Sequence, residues 1–223
     1  VESQFRGIVK QAYDYSCGSA ALTTLLNGYV GQSLGERETM DGLLKYGEYD
    51  RIVERRSFSL LDMKRFIIAL GLNGGGFKGS FNDLTTLDKP AIVPIAYAGF
   101  KHFVVYKGYR DGRVFVADPA LGNLSFTQEH FQEVWENNTL FIVNPVEGQS
   151  TANLLTLSDT DLRFVQDSTI NQVALANIEY PTLGMEHNAD RASTLRRVLD
   201  ADPKSENYQK AINTSLRLYY KRK

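Results

Sequence analysis

Two kinds of hydrophobic periodicity run through this chain, and they come in blocks rather than in alternation. Up to about residue 72, apolar residues recur at the three- and four-residue spacing of helices. From Pro90 to Pro145 they gather instead into short β-branched and aromatic runs, the signature of strands. Helices first and strands afterwards argue for an α+β fold, with N-terminal helices packed on an antiparallel sheet.

The first helix is expected over residues 16 to 29, with Ser16 as its N-cap and Ala20, Ala21, Leu22, Leu25 and Leu26 forming its apolar face. Residues 31 to 56 read as helical and partly exposed, anchored by Leu43 and Leu44. "SFSLLDMKRFIIALGL" (57–72) carries a capping-box pair, Ser59 and Asp62, and a terminating Gly71. "NGGGFKGS" (73–80) reads as a flexible loop whose glycine spacing does not match a phosphate-cradling loop. Strands are expected at 91–98, 101–110, 113–119 and 139–145, the second and third joined by an Asp-Gly hairpin turn in "RDGR" (110–113). A short helix capped by Thr127 interrupts them. The domain so defined covers residues 1–146. A linker-like "EGQSTAN" (147–153) then leads into a helical C-terminal extension, 147–223, with helical patterns over 161–178, 191–200 and 203–220.

A net charge of −1 over 223 residues gives no basic footprint for nucleic acid. No apolar run approaches the roughly 18 to 20 residues of a membrane span. One cysteine excludes an internal disulfide and any multi-cysteine zinc site, and neither cofactor nor metal is expected. The chain opens on Val1 rather than Met, which leads to the expectation that an export signal has been removed.

That cysteine, Cys17, stands in "QAYDYSCGSAALTTLL" (11–26), at the start of the first helix. Backbone N–H groups of a first helical turn favour a thiolate, and Gly18 is expected to leave its approach open. The bland reading is a small buried residue beside Gly-Ala-Ala. A cysteine nucleophile needs a base. Of the three histidines, His130 falls within a helix and His187 in a loop of the tail, whereas His102 heads the strand "KHFVVYKGY". Asp118 ends the next strand, in "VFVADPALG", and the tight hairpin makes the two cross-strand neighbours. A carboxylate there orients an imidazole. Gln11, six residues before Cys17, is placed to donate to an oxyanion.

These three blocks resemble the signature of the papain-like, bacteriocin-processing cysteine peptidases, which cleave leader peptides after a double glycine. The resemblance covers roughly residues 5 to 146 and implies a papain-like fold. It implies Cys17 as nucleophile, His102 as general base and acid, Asp118 as its orienting residue and Gln11 as oxyanion-hole donor. Ser16 departs from the acidic residue that many transporter-linked members carry there. The chain looks like a stand-alone, exported member, similar to the peptidase encoded with functional-amyloid secretion systems of pseudomonads. That likeness implies a periplasmic location, the cytoplasm being the alternative, and peptide or protein substrates among amyloid subunits or secretion-system components. Two rival readings use the same residues: a peptidase-like module that binds secretion substrates without cutting them, and an acyl-transferring deamidase or transglutaminase. A homodimer through the C-terminal helices is a further expectation.

Overall fold

A computed structural model describes residues 2–13, 15–97, 100–159 and 161. The chain divides into two compact units, Val1–Asp167 and Ser168–Lys223, and the described residues belong to the first. The helices expected beyond residue 161, and the dimer expected through them, lie outside the described residues.

Helix α1 (Cys17–Leu25) is buried from Gly18 to Leu25, as befits a helix with small or apolar residues all round. One π turn (Leu26–Val30) extends it, and Gly31, at φ +81°, closes it in the left-handed conformation that glycine tolerates. The stretch 31–56, expected to be helical, holds two helices, α2 (Glu36–Tyr46) and α3 (Tyr49–Arg55). The break falls at Gly47, where a Cβ would stand 2.5 Å from the Leu43 carbonyl and 2.7 Å from Asp62 Oδ1. Helix α4 (Leu60–Ala69) starts at the expected capping box: Asp62 N donates to Ser59 Oγ at 3.2 Å, and Ser59 N donates back to Asp62 Oδ2 at 2.8 Å.

The glycine-rich stretch expected as a loop is an edge strand, β1 (Asn73–Lys78), paired antiparallel with β6 (Thr139–Asn144). Between them in sequence come α5 (Phe81–Thr85), β2 (Ala91–Tyr97), β3 (Phe100–Arg110), β4 (Arg113–Asp118), β5 (Gly122–Thr127) and α6 (Gln128–Val134). Thr127 caps α6 as expected, accepting from His130 N at 3.3 Å. The sheet has six strands in the order β1-β6-β2-β3-β4-β5, every pairing antiparallel. Helix α1 lies against β2 and β3, α4 against β1, and α2 joins α1 to α4. The core on this face is therefore the seam between α1 and the two central strands, where Leu22, Val93 and Val104 are all fully buried. Among the described residues no helix is long and apolar enough to cross a membrane.

The segment expected as a linker is laid along the domain. Ala152 N and Leu154 N donate to the Tyr29 and Gly28 carbonyls at 2.8 and 3.2 Å, and Leu155 is buried over Gly28. Further along the same stretch, Asp161 Oδ1 receives the Lys107 ammonium at 2.8 Å.

Candidate active site

The mount of Cys17 follows from the start of α1. Cys17 is the first residue of the helix and half-buried, in the turn whose N–H groups have no intrahelical acceptor. Gly18 differs from expectation. It is buried rather than open, because a Cβ there would come within 3.0 Å of Met63 Cε and 3.3 Å of Phe58 Cβ. The glycine lets α1 press onto its neighbours, and the sulfur's access lies elsewhere. Ser16 holds the expected N-cap position, its carbonyl accepting from Ala20 N at 3.0 Å, but its side chain makes no capping bond and its hydroxyl lies 2.6 Å from Glu36 Oε1.

His102 lies on β3 opposite Ile95 of β2. Its Nε2 is 2.9 Å from Asp118 Oδ1. The imidazole side chain is 20% exposed and the carboxylate 4%. Asp118 Oδ1 also accepts from Ala120 N at 2.7 Å and Leu121 N at 3.1 Å, so the turn after β4 holds the carboxylate in place. With Nε2 taken by Asp118, Nδ1 is the ring nitrogen left, and Cys17 is near enough to act on the ring's charge. Burial alone would disfavour the charged ring. The Asp118 charge and hydrogen bond, with the Cys17 sulfur, outweigh it and hold the His102 pKa well above its usual 6.5.

Gln11 is tied to the same corner, its backbone N–H donating to the Pro119 carbonyl at 2.8 Å, one residue past Asp118. One hydrogen of its side-chain amide goes to the Tyr13 carbonyl at 2.8 Å. His130 stands apart on α6, beside Glu133 and against the Phe126 ring. His187 lies outside the described residues.

One residue of this site escaped the sequence. Glu36, at the start of α2, is 7% exposed and accepts from Ala12 N at 2.9 Å while touching Ser16. Burial pushes its carboxyl up from the ordinary glutamate range, against the lowering effects of Ser16 and Ala12. Nothing in "GERETM" distinguishes it from the solvated acids around it; only the tertiary fold does.

The description "Peptidase C39 family" matches residues 6–147. The chain is 37% identical over 142 residues to the probable functional amyloid protease FapD of Pseudomonas aeruginosa, covering 64% of this chain and 62% of that protein. It is 35% identical over 154 residues to the protein of the same description from Pseudomonas fluorescens, covering 69% and 67%. The matched stretch thus spans about two thirds or less of these relatives. Among solved structures, the peptidase domain of Streptococcus ComA, a bifunctional ABC transporter, superposes with a TM-score of 0.51 at 18% identity, over 62% of this chain and 97% of that one. At that identity the likeness concerns the α+β, papain-like fold.

Proposed function

Because the chain belongs to the Peptidase C39 family, we propose that it is a cysteine endopeptidase that cuts leader or secreted-client peptides after Gly-Gly. The observation that carries this reading is the His102 ring, held between Asp118 and Cys17. His102 takes the thiol proton, and the sulfur attacks the scissile carbonyl, forming a C–S bond and an oxyanion. The Cys17 N–H and the second hydrogen of the Gln11 amide receive that oxyanion. His102 then protonates the departing amine as the C–N bond breaks. Water, deprotonated by the same ring, hydrolyses the thioester and restores the thiol. Asp118 fixes the ring and stabilises its protonated form throughout.

The names of the Pseudomonas relatives support clients from a functional-amyloid system. We take amyloid subunits or their secretion partners as the substrates and the periplasm as the place of action. Cleavage of a Gly-Gly peptide by wild type, Cys17→Ala and His102→Ala protein tests the reading. Both variants should lose turnover to background, and replacing either substrate glycine by valine should lower it sharply. Undiminished cleavage by Cys17→Ala would end the proposal.

A further inference from the structure

The loop from Gln11 to Cys17 is braced from α2 by the Glu36 side chain. Glu36 Oε2 accepts the Ala12 N–H at 2.9 Å, and Glu36 Oε1 lies 2.6 Å from Ser16 Oγ. Ala12 follows Gln11 and Ser16 precedes Cys17, so one carboxyl group steadies the residue beside each proposed oxyanion donor. Ser16 Oγ also lies 2.8 Å from the Tyr13 carbonyl, the same oxygen that accepts from Gln11 Nε2 at 2.8 Å.

Counting hydrogens decides the chemistry of this corner. A serine hydroxyl has one hydrogen, whereas a carbonyl and an ionised carboxylate only accept. With Glu36 ionised, one of the two close oxygen–oxygen contacts of Ser16 has no proton in it. A neutral carboxyl group fills both, since its O–H donates to Ser16 Oγ and the Ser16 hydrogen passes on to Tyr13. We propose that Glu36 is a positioning residue for the oxyanion hole and works as a neutral acid, at the head of a chain from Glu36 O–H through Ser16 O–H to the Tyr13 carbonyl. The inference rests on the peptidase reading above.

Burial of Glu36 acts in the same direction, favouring the uncharged form. Titratable groups on the surrounding elements are Cys17 on α1, Tyr13 and Tyr15 on the loop, Tyr49, Asp50, Arg51, Glu54 and Arg55 on α3, and Asp62, Lys64 and Arg65 on α4. Glu36 shares α2 with Arg37, Glu38, Asp41, Lys45 and Tyr46. The causes acting on Glu36 are burial, Ser16 and Ala12, and no charge among those groups figures with them. As pH rises through the Glu36 pKa, the Ser16 hydrogen turns to the new carboxylate and leaves Tyr13. The loop bearing Gln11 then loses a restraint, which lowers kcat more than it raises KM.

The experiment measures kcat and KM against pH on a Gly-Gly peptide for wild type, Glu36→Gln, Glu36→Ala and Ser16→Ala, with Cys17 alkylation by iodoacetamide followed in parallel. The glutamine amide can donate to Ser16 and accept from Ala12, so Glu36→Gln should keep kcat within about threefold and hold it to higher pH than wild type. Glu36→Ala and Ser16→Ala should each lose about 10²-fold in kcat, the scale of one oxyanion donor. Their KM should stay nearly constant and alkylation should run at the wild-type rate. Should Glu36→Ala fail to fold, Glu36→Gln against Ser16→Ala carries the comparison. Loss of kcat in Glu36→Gln as deep as in Ser16→Ala overturns the neutral acid. Full kcat with an unchanged pH profile in Ser16→Ala and Glu36→Ala overturns the positioning role. A wild-type protein that is alkylated yet cuts no peptide overturns the peptidase reading, and this inference with it, so the two failures are told apart.

Discussion

His102 and Asp118 meet on one face of the sheet because a bulge takes Lys107 out of the ladder between them. The hairpin turn at Asp111 and Gly112, both at positive φ, pairs Arg110 with Arg113. Carried on without interruption, that ladder would set Asp118 opposite Val105, with its side chain on the face away from His102. A bulge between Tyr106 and Gly108 shifts the register, so that Val105 pairs with Ala117 and the next step brings Asp118 opposite Val104. Val104 and His102 are two residues apart on one strand and share a face. The pair is diagonal, and its 2.9 Å contact exists through the bulge.

Deletion of Lys107 should keep the pair together and peptide cleavage with it, because closing the bulge leaves Tyr106 opposite Val116 and Asp118 opposite Val104 in an unbroken ladder. Lys107→Met keeps the bulge and should retain most activity while losing stability. The Lys107 side chain is 3% exposed and Asp161 6%, and removing one partner of so buried a pair costs about 3 kcal/mol. Urea unfolding and peptide turnover, measured on both variants, check the two halves of the expectation.

Asp118→Asn should move the alkaline limb of the activity profile. Asp118 holds the His102 pKa above 6.5, so the imidazolium persists at pH values where a free histidine has lost its proton. The charged ring and its partners stabilise the fold fully below about pH 6.5, and that share is lost as pH rises through the raised pKa. Asparagine keeps a contact with the ring and removes the charge. The alkaline fall in kcat/KM should then come at lower pH, and the plateau should drop by about 10²- to 10⁴-fold. An alkaline limb that stays put would show that Asp118 does not set the ring's protonation.

Tyr106→Phe should leave the protein as stable or slightly more so. Tyr106 is 1% exposed on β3, and its hydroxyl has no hydrogen-bond partner among the described residues. A buried hydroxyl without a partner carries a desolvation cost, so its removal should gain up to about 1 kcal/mol in urea unfolding near neutral pH. Burial pushes the Tyr106 pKa up to about 12. Ionisation thus favours the unfolded chain, and stability present below pH 10 is lost as pH rises towards 12. The phenylalanine variant should lose less of its stability over that window.

Legibility of this fold from sequence followed the range of the forces involved. The capping box at Ser59 and Asp62, the Thr127 cap and the hairpin at Asp111-Gly112 are local devices, and each stands where its residues place it. The placement of Cys17 at a helix start and of His102 beside Asp118 was legible because element ends restrict where such residues fall. The Lys107 bulge and the buried Glu36 were not, since a lysine in a strand and a glutamate opening a helix have the same local appearance whether solvated or enclosed. Strand β1 was hidden for a related reason: a Gly-Gly-Gly run has no side-chain alternation to betray a strand.

That glycine run makes β1 testable residue by residue. A Cβ at Gly74 would stand 2.1 Å from the Ile142 carbonyl and 3.0 Å from both Val143 Cα and Ile67 Cδ1. The first two are backbone atoms of β6, so no side-chain rotation relieves them, and alanine must push the two strands apart. Gly76, two residues on, has only ordinary neighbours, Leu60 Cδ1 at 3.7 Å and the Leu140 carbonyl at 4.0 Å. Gly74→Ala should cost about 1 to 3 kcal/mol through overpacking. Gly76→Ala should be neutral or gain a few tenths, because alanine loses less backbone entropy than glycine in a strand. Urea midpoints for the two variants, with amide exchange followed over residues 73–78, make the comparison. Equal costs at both positions, with fast exchange throughout, would show that the run does not pair with β6 and that the sheet ends one strand earlier.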